Sequence, residues 1–163
     1  MARQQRTLTD EERALFDRYV EEFTDKPLDY VRHDSNARMD DALRRATAKY
    51  GMGFYGSWWL LIELLSGNKR HAYDVADDAG WNLLAIDMST CGIVWSVEEC
   101  RTFCDRLAEF GLIDQECYGR GKVINNRVCR EVSKYAQAAA GKSLGSWKTN
   151  RAKALGDTVH AKR

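Results

Sequence analysis

Apolar and polar positions alternate with a helical period at the start of the chain. The segment Thr9–Glu12 has the form of a capping box, in which the threonine hydroxyl and the glutamate carboxylate satisfy free amides of a first helical turn. The helix that follows carries an apolar stripe opposite an acidic face, and Pro27 predicts a break after it. The stripe consists of Leu15, Phe16, Tyr19, Val20 and Phe23. We predict a helical arm over residues 1–27 that packs on this chain or on a second copy of it.

Two further helices are predicted in the next forty residues or so. Asp34–Asn36 offers caps for one helix, and Gly51 suits its C-terminal stop. Arg38, Arg45 and Lys49 fall together on the outer side of that helix. The next helix, Phe54–Leu65, is apolar on almost every side, so it should be buried. Its paired tryptophans, Trp58 and Trp59, are predicted to be core residues rather than a stacking platform.

The pattern then predicts a short strand, a short helix, a turn and another helix. The strand covers Lys69–Val75, the helix Asn82–Met88 and the turn Thr90–Ile93. Ser96–Glu99 is a second capping box, and the helix it opens ends at Gly111.

The pattern after this helix is typical of a hairpin. Two predicted strands, Leu112–Tyr118 and Lys122–Arg127, flank a Gly-Arg-Gly turn. A last helix should run from about Val128 to Ala140, before a basic tail.

This order of elements predicts the fold class. Helix, strand, helix, turn, helix, strand, wing and strand is the order of a winged helix-turn-helix. We therefore predict a mostly helical α+β protein: an arm at 1–27, a winged-helix domain at 28–140, and a basic, flexible tail at 141–163. The alternative is an unrelated small α+β domain with a terminal hairpin.

Several short motifs also resemble a known family. Asp29-Tyr30, Lys49–Gly53, Trp59–Glu63 and Leu107–Asp114 are similar to the N-terminal domain of Lin1244/Lin1753-type phage proteins, over roughly Leu28–Ala140. The resemblance implies a winged helix that stands at the front of phage or prophage replication initiators, related in architecture to DnaD-like primosomal proteins. The chain departs from that pattern by an acidic helix in front and by lacking a second large domain behind. Both departures weaken the expectation of a complete initiator role.

Charge adds a regional signal to this picture. The chain has 163 residues and a formal net charge of +1, so its total charge indicates no class of partner. Residues 141–163 carry six basic side chains and one acid, so a basic tail follows a slightly acidic body. Such a tail is typical of a nucleic-acid contact and equally of a solvated end.

The cysteines indicate a cytoplasmic protein with reduced thiols. There are five of them, none in a C-x-x-C pair, and the sequence has no secretory signal or membrane-spanning stretch. Cys100 and Cys104 lie one helical turn apart, a spacing that could hold a metal. They also share a stripe with Val97, Phe103 and Leu107, so we predict core residues and no metal site.

No enzyme signature is recognised. The three histidines form no catalytic or metal-binding motif. The glycines of Gly51–Gly56 spell G-x-G-x-x-G without the preceding strand of a dinucleotide fold. We therefore predict a binding protein with no catalytic site and no cofactor.

Two classes of partner remain open. The first is DNA, held mainly by its backbone in replication initiation or its regulation; a transcriptional repressor would differ mainly in needing symmetric dimers. Glu98 and Glu99 argue against groove reading, because they open the presumed recognition helix beside the phosphates. The candidate DNA contacts are Arg101, Arg106, Arg120, Lys122, Arg127, Arg130, Lys134, Lys148 and Arg151.

The second class is a protein partner. The chain would then be a small phage-encoded inhibitor or adaptor that docks on a host or phage replication protein. The candidate partner interface is Leu15, Phe16, Tyr19, Phe23, Glu98 and Glu99, and the same arm could form a homodimer.

Overall fold

The computed structural model describes residues 8–28, 37–90 and 92–160. The chain divides into two compact units. The central unit is Lys26–Val132, and the terminal unit combines Met1–Asp25 with Ser133–Arg163. In the described residues no helix is both long and apolar enough to cross a membrane.

The described residues are mostly helical, with one small sheet, which confirms the predicted α+β class. The elements in chain order are α1 (Asp10–Thr24), α2 (Asp41–Tyr50), α3 (Met52–Gly67), β1 (Ala72–Asp74), α4 (Asp78–Met88), α5 (Val97–Glu109), α6 (Gln115–Gly119), β2 (Lys122–Ile124) and α7 (Asn126–His160). Single 3₁₀ turns occupy Ala37–Met39 and Lys69–His71.

The core of the central unit forms around α3. Trp58, Trp59, Leu61, Ile62 and Leu65 of this helix are all buried, so the paired tryptophans are core residues as predicted. The sheet pairs β1 with β2 in antiparallel register. Helices α4 and α5 pack against each other across the turn that joins them.

Both capping boxes predicted from the sequence are present. Thr9 accepts from the amide of Glu12 at 3.2 Å, and the Glu12 carboxylate accepts from the amide of Thr9 at 3.0 Å. Ser96 and Glu99 repeat this exchange at the start of α5. Helix α2 is capped instead by Asp40, and the predicted caps at Asp34–Asn36 lie outside the described residues.

The prediction of a first hairpin strand over Leu112–Tyr118 is wrong. Leu112 and Ile113 are adjacent and both buried, which an alternating strand does not allow, and the following residues form α6. Asp114 begins that helix because its carboxylate accepts from the amide of Cys117 at 2.8 Å. The second predicted strand exists as β2, but its partner is β1 and not a neighbouring wing strand.

The last helix is longer than predicted. It runs from Asn126 to His160 rather than from 128 to 140, so the segment predicted as a basic tail is helical as far as His160. Ala136, Ala140 and Leu144 are buried at four-residue intervals, and this apolar stripe carries the helix past its predicted end.

The terminal unit pairs α1 with the later part of α7. Phe23, near the end of α1, meets Tyr135 edge to face at 6.5 Å between ring centroids. The start of α1 lies beside the far part of α7, where Glu12 contacts Lys148 at 2.9 Å. The two helices are therefore antiparallel, and the stripe of Leu15, Phe16, Tyr19 and Phe23 is half-buried within its own chain.

Candidate binding surfaces

The two arginines predicted as DNA contacts on α5 both contact other side chains of the central unit. Arg101 forms an ion pair with Asp78 at 2.8 Å, and its guanidinium lies over the Trp81 ring at 5.2 Å from the centroid. Arg106 lies over the Tyr50 ring at 4.5 Å. The charge of Arg101 is matched by a carboxylate, whereas Arg106 is exposed and keeps its charge above the ring.

The outer face of α5 carries more acid than base. Glu98 and Glu99 open the helix, and Asp105 and Glu109 follow on exposed positions. Hydrogen bonds from the backbone and side chain of Ser96 lower the pKa of Glu99, so its carboxylate stays ionised at neutral pH. An acidic face of this kind would be repelled by the phosphates that line a major groove.

The predicted cations around the turn before β2 differ in availability. Arg120 is paired with Glu116 at 2.7 Å, and the Arg127 guanidinium lies over the Trp59 ring at 5.2 Å. Lys122 and Arg130 are exposed, and within the described part of the chain neither forms an ion pair.

The predicted cations of the later α7 lie in the terminal unit. Lys148 contacts Glu12 at 2.9 Å, and Arg151 contacts Glu11 at 2.6 Å. Lys134 is exposed on the same helix. Four of the nine predicted DNA contacts are therefore already matched with carboxylates.

A basic surface that the predicted contacts omit lies on α2 and the turn before it. Arg38, Arg44 and Arg45, here called the arginine face, line an open depression of about 810 Å³ together with Met52 and Tyr55. Arg45 approaches Asp41 at 3.9 Å, while Arg38 and Arg44 form no ion pair with any described residue.

Arg38, Arg45 and Lys49 are exposed, as the sequence predicts, and so is Arg44. Lys49 is hydrogen-bonded to Glu109 at 2.8 Å, which raises the pKa of Lys49 and lowers that of Glu109. The positive charge of Lys49 is therefore largely matched by the Glu109 carboxylate.

A second concave surface, here called the α3–α5 groove, lies between the start of α3, the turn before α5 and α5 itself. Its volume is about 420 Å³, and its apolar lining includes Phe54, Trp95 and Phe103. The Phe103 ring meets Phe54 at 5.2 Å and Trp95 at 5.4 Å, so the aromatic wall is packed in place. The partner-interface residues Glu98 and Glu99 both line this groove, whereas those predicted on α1 belong to the terminal unit.

The cysteines of α5 are core residues, as predicted. Cys100 and Cys104 are each 1% exposed. Burial raises the pKa of Cys100 to about 11 and raises that of Cys104 as well, so both remain neutral thiols at physiological pH. The described residues contain no cluster of three or more metal-binding side chains.

Comparison of this chain with models of protein families, with curated proteins and with solved structures found no match.

Proposed function

We propose that the central unit is a winged-helix module that binds nucleic acid through phosphate contacts, with the arginine face of α2 as its main contact. The order of α3, β1, α4, α5 and β2, with β1 paired to β2, supports this fold type. In this proposal the short helix α6 replaces the first strand of the wing, so the wing is reduced to the turn before β2.

The observation that carries the proposal is that two unpaired arginines, Arg38 and Arg44, line the same depression. A cation already paired with a carboxylate must exchange that contact to bind phosphate, so its net gain is smaller than that of an unpaired cation. Arg38 and Arg44 form no such contact with the described residues. Binding there would release counterions at little internal cost.

The neighbouring side chains suit a nucleic acid rather than a small anion. Tyr55 is half-buried at the edge of the depression, and Met52 is 70% exposed. An aromatic ring beside free guanidinium groups can stack on a base while the arginines hold the backbone. Contacts of this kind discriminate little between sequences.

The biological setting follows from the motif resemblance. The similarity of the central unit's motifs to phage replication proteins supports a role in replication initiation or its regulation. The acidic outer face of α5 supports backbone contact over base reading in that role.

The experiment compares two charge-matched double variants. Arg38→Gln with Arg44→Gln removes two free cations, and Arg101→Gln with Arg120→Gln removes two cations that are already paired. Fluorescence anisotropy with labelled single- and double-stranded DNA at several salt concentrations measures both. We expect the first variant to reduce the logarithmic salt slope on duplex by up to roughly 0.9 per lost contact, and the second to leave it nearly unchanged.

If the Arg101→Gln, Arg120→Gln variant instead lost more of the salt slope, the main contact would lie on α5 and the turn before β2. The absence of binding by the unaltered protein to either DNA, even at low salt, would refute the proposal.

A further inference from the structure

Two small residues of α3 line the α3–α5 groove beside Phe54. Gly53 and Ser57 line it from α3, and a methyl group added at Gly53 would meet no atom within 4 Å. Of the three glycines that spell an apparent nucleotide motif, Gly53 lines the groove. Of the aromatic lining, Trp95 is half-buried, whereas Phe54 and Phe103 are buried beneath it.

Large aliphatic side chains border the groove and face water. Val94 is 82% exposed and Ile93 is 63% exposed, and both line the cavity. The Ile93 amide donates a hydrogen bond to the Thr90 carbonyl at 2.9 Å. Exposed apolar side chains beside a concave aromatic surface are typical of a site that docks another molecule.

Charge indicates the chemistry of that molecule. Glu98 is exposed at the groove and forms no ion pair with any described residue. The neighbouring carboxylate of Glu99 is held by Ser96 and remains charged. The one basic side chain in the lining, Arg106, is drawn onto the Tyr50 ring. The end of the groove near the start of α5 is therefore negative and complements a cation.

We propose that the α3–α5 groove docks a short segment of another protein that carries a bulky apolar side chain and an adjacent lysine or arginine. The apolar side chain packs against the half-buried Trp95 and the exposed Ile93 and Val94. The basic side chain pairs with Glu98. A volume of about 420 Å³ suits a few side chains of such a segment. This site is separate from the arginine face and does not depend on nucleic-acid binding.

The test uses glycine substitutions that should fill the groove without disturbing the core. Gly53→Leu places a side chain in the groove. Gly56→Leu is the matched control, because a methyl group at Gly56 also meets no atom within 4 Å and Gly56 does not line the groove. Both changes replace a helical glycine with a better helix former, so thermal melts should show folded proteins at least as stable as the unaltered one.

The probe is a displayed random peptide library selected on the whole unaltered protein, followed by affinity measurements on the selected peptides. We expect enrichment of peptides that combine a large apolar residue with lysine or arginine. Gly53→Leu should weaken their binding at least about tenfold, because the apolar anchor loses its site, and Gly56→Leu should leave it unchanged. Selection on a Glu98→Lys variant should favour acidic residues in place of basic ones.

Three results would overturn the proposal. One is a selection that yields no binding peptide, and another is equal binding to the Gly53→Leu and Gly56→Leu proteins. The third is a dimer of the unaltered protein in sedimentation that Val94→Glu dissociates and Ile86→Glu, an exposed change outside the groove, does not. That result would identify a second copy of the chain as the occupant.

Discussion

Asn125 joins the start of α7 to the chain segment that follows α5, and its removal should be among the most damaging polar substitutions in the central unit. The side chain is 3% exposed. Its oxygen accepts from the amides of Arg127 at 2.9 Å and Val128 at 3.2 Å, which caps the helix. Its nitrogen donates to the carbonyl of Leu112 at 2.6 Å.

The magnitude follows from these three contacts. Asn125→Ala removes the helix cap, which costs about 1 kcal/mol. It also leaves the Leu112 carbonyl without this donor in a buried place, which costs about 1–3 kcal/mol more. We expect a total loss of about 2–4 kcal/mol in the free energy of unfolding. Asn125→Ser keeps a short acceptor for the cap but cannot reach Leu112, so it should recover roughly the first contribution alone.

Urea unfolding followed by circular dichroism measures these differences. Asp77→Ala is the control, because Asp77 is an exposed cap that accepts from the amide of Gly80 at 2.9 Å and has no buried partner among the described residues. Its loss should cost about 1 kcal/mol. The reasoning fails if Asn125→Ala is no more destabilising than Asp77→Ala, since the buried bond to Leu112 would then contribute nothing measurable.

Two further predictions concern the contacts of β1 and α6. Gly80→Ala should destabilise the protein by more than about 2 kcal/mol, because the added methyl group would overlap the carbonyl oxygen of Asp74. The control Gly56→Ala on α3 should be neutral or stabilising by up to about 1 kcal/mol. Similar melting temperatures for the two variants would contradict this prediction. Burial and hydrogen bonds to Asp87 and Asp105 raise the pKa of Tyr73 and Tyr118, respectively. Because the folded state favours the neutral phenols, their stabilisation is complete below the unfolded tyrosine pKa of about 10 and decreases as pH rises above it. Unfolding free energies measured across this range should decline less for the Tyr73→Phe, Tyr118→Phe double variant, and equal slopes would count against the assignment.

Local sequence signals determined much of the secondary structure. The capping boxes at Thr9 and Ser96 form as predicted because their partners lie three residues apart and need no distant support. The buried α3 was predictable from its apolar character on every side, and Cys100 and Cys104 from their place on an apolar stripe. The capping boxes depend on residues that are close in sequence, and the buried helix faces depend on the general preference of apolar side chains for burial.

Tertiary contacts determined the secondary structure of the region between α5 and α7. Leu112–Tyr118 has the composition of a strand, but β2 found its partner in β1, about fifty residues earlier in the chain. The residues after Ile113 were then free to follow the local cap at Asp114 into α6. The length of α7 was decided in a similar way, by an apolar stripe that packs within the terminal unit.

The candidate sites depended most on the tertiary structure. A basic residue in the sequence predicts a phosphate contact only if no carboxylate lies opposite it in the fold. Arg101 is matched by Asp78, and Arg151 by Glu11 from the other end of the chain, whereas Arg38 and Arg44 have no such partner among the described residues. The α3–α5 groove likewise exists because the start of α3 lies beside the later segment that carries Val94 and Glu98. Sequence spacing determines which side chains share a helical face, but long-range packing determines what each face meets, and free charge and open volume depend on that packing.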